Sequence, residues 1–394
     1  MSSNLTTNKS DQLKILHVFN QPRGGGGSLA STLATISVFK KAGHIVDSFT
    51  KSSKDLPQGL NGGLHAALKS LYNPKSITEF KQKLTSFNPD IVHANEFFPL
   101  ISPFVLEICK ERGIPVVFTC DDYHLTCPAR THFLNGKLCT KCIGGKEYHG
   151  ILNKCKNSYH ESAVNVAYNY KLRKSQLYKN TVDHFITCSE FTKEWLVEHA
   201  NIEHNNISAI PHAIEIPDTS VKAEQGQYAS FAGRFVKEKG INTLLAAADI
   251  CKVPVKLARN VNHFVDIDLP KSADAIVTHG REDLAEFYRN ARFLVFPSNW
   301  FETYGVVGAE SMAHGVPVLA AKIGALNNLI IEDETGVFFE AGNSSDLADK
   351  MLALWNDPEK CTRLGQAGRQ YAIENFSLDA NYNKTLAVYH RVLR

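Results

Sequence analysis

The sequence predicts an α/β protein made of two doubly wound, parallel-stranded halves. Two observations carry that expectation. Short apolar or β-branched runs alternate with longer amphipathic stretches, and several runs are apolar on both faces, as in strands covered by helices on each side. A polar, proline-containing break from Pro211 to Gln227 then divides the chain near its middle.

The elements follow in order. Residues 1–12 are polar and read as a frayed tail, without the apolar segment of a secretory leader. In the first half, KILHVFN at 14–20, DIVHA at 90–94, IPVVFTC at 114–120 and DHFITCS at 183–189 read as strands. In the second, YASFAG at 228–233, DAIVTHG at 274–280, RFLVFPS at 292–298 and VPVLAA at 316–321 do the same. The intervals between them are long enough for crossover helices. Two Rossmann-like halves facing each other would leave a cleft at the carboxyl ends of their strands, where open α/β sheets bind ligands.

Composition narrows the class. The chain has 394 residues, 43% hydrophobic and 21% charged, which suits a soluble globular protein with two cores. A net charge of +3 is too small to argue for nucleic acid. No apolar run approaches the roughly 20 residues of a spanning helix. The expected compartment is the cytosol, where the nine cysteines stay mostly reduced. No internal repeat or low-complexity segment stands out.

The chemistry concentrates after two strands of the second half. SFAGRFVKEKG places Gly233, Arg234, Lys239 and Gly240 between a strand and a helix. Arg234 can bind phosphate bidentately and Lys239 adds a mobile charge, so the pair can neutralise a diphosphate. FETYGVVGAESMAHGVP, from Phe301 to Pro317, puts Glu302 and Glu310 on either side of a helix start. Thr303 is the expected cap, and Gly305 allows close approach to the amides of Tyr304, Gly305 and Val306, an anion site. Two carboxylates there accept hydroxyl groups from different parts of one elongated ligand, as a nucleotide sugar presents.

PSNWFETYGVVGAESMAHGVP resembles the E-x7-E signature of retaining GT-B glycosyltransferases of family 4. The resemblance extends through PRGGGGS, KKAGHIV, NPDIVHANEF, AGRFVKEKG, HGREDLAEFYRNARFLVFPS and ETGVFFEAGN, nearly the whole chain. It implies a GT-B fold with an acceptor-binding domain at 1–215, a nucleotide-sugar domain at 216–377, and a final helix at 378–394 packing back on the first. It further implies that Glu310 binds ribose, Glu302 the transferred sugar, and Arg234, Lys239 and the amides after Thr303 the diphosphate. The base is expected near His279, Gly280 and Arg281. The glycine loop, with Gly25 and Gly26, is expected over the donor. The implied reaction is hexosyl transfer, with retention, from a nucleotide diphosphate sugar such as UDP-glucose to a saccharide or lipid-linked acceptor in polysaccharide biosynthesis. No catalytic metal is implied. A noncatalytic nucleotide-sugar or polysaccharide-binding protein and a sugar-nucleotide epimerase are the rival readings on the same architecture.

The first half departs from the family pattern. Many relatives carry histidine where this chain has Asp121, at the reacting centre; here Asp121, Asp122 or His124 takes that place. His93, at a strand end, is a further acceptor-side candidate. Cys127, Cys139, Cys142 and Cys155 contain a C-x2-C knuckle and make a candidate four-thiolate zinc set. From Ala129 to Asn180 lysines, arginines and tyrosines interleave, which suggests peripheral contact with an anionic membrane or a lipid-pyrophosphate acceptor. Asp266 and Asp268 form a D-x-D match, weak here as a metal site because the cations already serve the diphosphate.

Overall fold

The computed structural model describes residues 11–23, 27–55, 72–260 and 269–394. Chain contacts divide it into two units. The first comprises Met1–His132, Cys139–Pro211 and Asn381–Arg394, the second Phe133–Leu138 and His212–Ala380.

In chain order the elements begin with β1 (Lys14–Gln21), α1 (Gly27–Lys41), β2 (Ile45–Ser52), α2 (Pro74–Phe87), β3 (Ile91–Ala94), α3 (Val105–Glu111) and β4 (Val116–Cys120). A short antiparallel hairpin follows, β5 (Phe133–Leu134) and β6 (Lys137–Leu138), which groups with the second unit. Then come α4 (His149–Leu152), α5 (Tyr159–Ser175), α6 (Leu177–Thr181), β7 (His184–Thr187), α7 (Glu190–Ala200) and β8 (Ile207–Ala209). The second half runs β9 (Tyr228–Ala232), α8 (Ile241–Cys251), β10 (Val255–Asn260), β11 (Ala273–Thr278), α9 (Arg281–Arg289), β12 (Ala291–Phe296) and α10 (Val306–His314). It ends with β13 (Val318–Ala321), β14 (Gly336–Phe339), α11 (Ser344–Asn356), α12 (Pro358–Phe376) and α13 (Leu378–Val392).

The first unit carries a parallel sheet in the order β2-β1-β3-β4-β7-β8. Its central strands are apolar on both faces because helices cover both. Leu16, Val18, Val92, Ala94, Val116 and Phe118 pack with Phe80 and Leu84 of α2 and Leu106 of α3 in one buried cluster. Each of these side chains larger than alanine contributes about 1.5–3 kcal/mol on burial. Local signals set the helix starts. Asn73 accepts from the Ser76 amide at 3.2 Å, with Pro74 at the first helical position, and Ser189 accepts from the Thr192 amide at 3.2 Å. The end of α13 belongs to this unit: the Tyr389 hydroxyl lies 2.6 Å from His93 Nδ1, and the Tyr382 hydroxyl 3.0 Å from His44 Nε2.

The second unit repeats the plan in the order β11-β10-β9-β12-β13-β14, all parallel. In each unit the strand order reverses beside the first strand, between β1 and β3 and between β9 and β12. Those switch points open a crevice at the carboxyl ends of the strands. Among the described residues no helix is long and apolar enough to cross a membrane.

Candidate functional site

In the second unit the loops after β9 and β12 are locked together by Gly240. Its φ is +69°, and a Cβ there would stand 1.7 Å from the Pro297 carbonyl oxygen, so only glycine fits. The Asn299 amide then donates to the Glu238 carbonyl at 2.9 Å. This lock brings Lys239 Nζ to 2.7 Å from Glu302 Oε1, and the Ser298 hydroxyl donates to the same oxygen at 2.5 Å. Glu302 is only 5% exposed. A carboxylate so buried is costly unless paired and hydrogen-bonded, which Lys239 and Ser298 accomplish. The Lys239 ammonium also lies 5.4 Å from the Trp300 ring. Arg234 is exposed, its guanidinium 3.9 Å from Glu238.

Glu310 stands in the second turn of α10. The Tyr288 hydroxyl donates to its Oε2 at 3.4 Å and to the Val307 carbonyl at 3.3 Å. Burial first, and then the Glu310 charge, push the Tyr288 hydroxyl well above its usual pKa, so it stays a donor.

The start of α10 corrects one sequence expectation. Thr303 is not the cap: the helix begins at Val306, and Gly305, at φ +121°, holds the N-cap position with no side-chain bond. A Cβ at Gly305 would come 3.1 Å from the Phe296 ring, so the tight strand-to-helix turn requires glycine and sets the start two residues later. The first-turn amides are therefore those of Val306, Val307 and Gly308. The Tyr304 side chain turns inward, its hydroxyl donating to the His212 carbonyl at 3.4 Å. His279 and Gly280 are exposed at the end of β11, where the His279 amide donates to Asp283 Oδ2 at 2.9 Å, and Arg281 opens α9. Gly25, Gly26, Asp266 and Asp268 lie outside the described residues.

The first unit's switch point holds a cavity of about 460 Å³. Residues at or after the ends of β1, β3 and β4 line it, among them Asn20, Glu96, Asp121, Asp122 and His124, together with Ser28 from α1 and Arg130. Asp122 Oδ1 accepts from the His124 amide at 2.8 Å and lies 2.7 Å from its Nδ1. Arg130 pairs with Glu96, lies 3.5 Å from Asp122, and stacks 4.7 Å over the Phe98 ring. Burial alone would raise Asp122; the attraction of His124 and Arg130 outweighs it and holds the carboxyl well below the usual carboxylate range. Ser28 donates to Asp121.

Of the acceptor-side candidates, the structure brings Asp121, Asp122 and His124 to this cavity but not His93. That histidine is a core residue, bonded through Nε2 to Thr119 at 2.7 Å and driven down to a pKa of about 3 by burial. Sequence reasoning missed Glu96, Ser28 and Ser298, and placed Arg130 only in a basic patch. Position just past a strand end was the available signal for Glu96 and Ser298. Only the fold brings Ser28 and Arg130 to the cavity that Glu96 lines.

The four cysteines of the knuckle region cluster in the first unit. Cys127 and Cys142 are buried, and Cys139 and Cys155 half-buried. Burial, and then the charges of Cys127, Cys155 and Cys139, push the Cys142 thiol up to about 12. Among the described residues, the triads of metal-capable atoms within 4.8 Å of one another lie elsewhere, Glu96, Asp122 and His124 being one.

Two family models match the chain, "Glycosyltransferase Family 4" over residues 25–216 and "Glycosyl transferases group 1" over 268–371. The chain belongs to the family 4 glycosyltransferases. It is 28% identical over 222 residues to a D-inositol 3-phosphate glycosyltransferase of Arthrobacter sp. (strain FB24), covering 50% of this chain and 52% of the relative. The match spans about half the length of such curated relatives. Among solved structures, sucrose-phosphate synthase from Thermosynechococcus elongatus aligns with a TM-score of 0.70 at 18% identity, covering 96% of this chain and 99% of that one. Anabaena HepE in complex with UDP and glucose aligns at 0.63 and 16% identity, covering 96% of this chain and 100% of that one. The fold of this family 4 member is thus the GT-B type, with two parallel six-stranded sheets.

Proposed function

We propose that the chain is a retaining hexosyltransferase that moves a sugar from a nucleotide diphosphate donor, UDP-glucose or similar, to a hydroxyl of a saccharide or lipid-linked saccharide in polysaccharide biosynthesis. The observation that carries this reading is the Lys239–Glu302 couple, 2.7 Å apart at the switch point between β9 and β12. A HepE structure holding UDP and glucose supports the donor class.

In this reading Arg234, Lys239 and the first-turn amides of α10 hold the diphosphate. The bond from the anomeric carbon to the diphosphate breaks, and these groups stabilise the charge growing on the departing oxygen. Glu302 accepts hydroxyls of the sugar and Glu310 those of the ribose. The acceptor oxygen attacks the same face and its proton passes to the leaving phosphate, so no side chain becomes a nucleophile. No metal is asked to take part in the transfer, since the cations and the helix dipole supply the positive charge.

Incubation with labelled nucleotide sugars, a saccharide panel and lipid extract tests the reading. The expected result is nucleoside diphosphate release and a product that keeps the donor's anomeric configuration. An inverted product, an epimerised donor, or binding without turnover would each favour another reading.

The proposal includes a structural zinc on Cys127, Cys139, Cys142 and Cys155, supported by the C-x2-C spacing of Cys139 and Cys142 and by the electrostatic influence of the other three thiols on Cys142, although no three of the four sulfurs lie within 4.8 Å of one another. It also places the protein in the cytosol, in peripheral contact with an anionic membrane. Tyr148, Leu152 and Tyr159 are exposed by 53%, 67% and 54%, and Lys154 lies 4.3 Å over the Tyr159 ring. Co-sedimentation with anionic vesicles at low salt, lost at high salt, is expected; no sedimentation at low salt overturns the contact.

A further inference from the structure

We infer that the acceptor ring taken by the first unit is free of phosphate, an uncharged polyol or sugar. The inference rests on the glycosyltransferase reading above and concerns the cavity between the ends of β1, β3 and β4.

At 460 Å³ the cavity falls within the range of small-molecule pockets, about 300–1,000 Å³. Its lining is built for hydrogen bonding. Asn20 Oδ1, Asn95 Oδ1, His124 Nε2 and Arg130 Nη2 are buried polar atoms without a hydrogen-bond partner, all on lining residues. Native interiors rarely leave such atoms unmet, so four at one cavity point to a polar occupant.

The charges then decide what kind. A phosphate monoester needs surplus positive potential. Here two of its sources already hold an internal anion, and the third donates to a backbone carbonyl. The Arg130 guanidinium, deep in the wall, pairs with Glu96 and faces Asp122 at 3.5 Å. The first turn of α1, where the peptide dipoles attract anions, donates to the Asp121 carboxylate through Ser28. Arg23, at the rim, donates to the Ser53 carbonyl at 3.2 Å. Three carboxylates, Glu96, Asp121 and Asp122, thus stand against two guanidinium groups. Counting His124 as charged brings the lining only to zero. Asp122 is held firmly ionised by His124 and Arg130, so protonation offers no escape near neutral pH. Carboxylates and amide oxygens accept from hydroxyls, whereas a doubly charged ester among them meets like charge without compensation. The cavity therefore differs in chemistry from one made for a phosphorylated ring, although D-inositol 3-phosphate glycosyltransferases are among the chain's relatives.

The test uses the full chain, donor nucleotide sugars and matched acceptors: myo-inositol with its 3-phosphate, glucose and N-acetylglucosamine with their 6-phosphates, and alkyl glycosides. Donor cleavage is followed separately from transfer. Transfer to one or more parent rings is expected, with kcat/KM for the phosphate ester lower by roughly tenfold or more. Asp122→Asn is expected to narrow that gap, because Arg130 then carries surplus charge. A phosphate ester used as well as its parent overturns the inference, as does donor cleavage without transfer to any parent ring. Absence of donor cleavage altogether overturns the underlying glycosyltransferase reading instead, and this inference with it.

Discussion

Arg234 and Lys239 sit on one loop yet have different surroundings. Lys239 is tied to buried Glu302 at 2.7 Å, while Arg234 is exposed and touches only the rim carboxylate of Glu238 among the ion pairs described. Removing Arg234 therefore tests catalysis without disturbing packing. Arg234→Ala is expected to leave the melting temperature unchanged and to lower turnover by roughly a hundredfold or more, the scale of one lost transition-state donor. Near-normal turnover by the variant would refute its role at the diphosphate. The same contrast explains what was legible at this scale. Residue type and spacing pointed to Arg234, Lys239, Glu302 and Glu310. The Thr303 cap failed because helix starts depend on the backbone turn, which Gly305 governs here. His93 failed because burial at a strand end is invisible until Tyr389 is folded against it.

At the scale of elements, most of the legible strands were central ones, although the edge strand β11 was read and the internal strand β10 was not. β12, apart from Arg292, and β13 are apolar because helices cover both faces, so their sequences announce them. β2, β8 and β14 sit at sheet edges, where one side meets solvent or the strand is only a few residues long. Their patterns are weak for that reason, and none stood out. Between elements, Gly240 joins two loops that the sequence leaves unrelated. Gly240→Ala forces a left-handed backbone on alanine and drives its Cβ into the Pro297 carbonyl. A loss of about 2–5 kcal/mol is expected, read as a lower melting temperature together with weakened donor binding. An unchanged melting temperature would show that the two loops are not held as described. The cysteine knuckle makes a second prediction at this scale. Protein purified without chelator is expected to carry stoichiometric zinc, and its removal to lower thermal stability. Metal-free protein of full stability would end the zinc proposal.

Across the molecule the titratable groups are unevenly placed, and the first unit collects buried histidines. His17 is buried beside the His93 ring at 5.0 Å, and burial first, then His93, hold it well below its ordinary pKa. Burial holds His93 at about 3 and His184 at about 4. His132, bonded to Thr126 at 2.8 Å, is held at about 4 by burial despite the Cys139 carbonyl. Unfolded histidine titrates near 6.5. Between the folded and unfolded values the unfolded chain binds more protons, so stability rises with pH across that window. The contribution is complete above about pH 6.5 and is lost progressively as pH falls toward about 4. Each histidine is worth up to about 1.4 kcal/mol per pH unit, so the four give at most about 5–6 kcal/mol per unit. Asp122 works in the opposite range: its lowered pKa stabilises the fold above the ordinary carboxylate value near 3.9, and that contribution goes only at lower pH. It therefore does not mask the histidines. Thermal melts at about pH 7.5 and about pH 5 are expected to show a clear fall in melting temperature on acidification. A melting temperature that stays level across that interval would mean these imidazoles reach solvent and protonate without unfolding, contrary to the packing around His17, His93, His132 and His184.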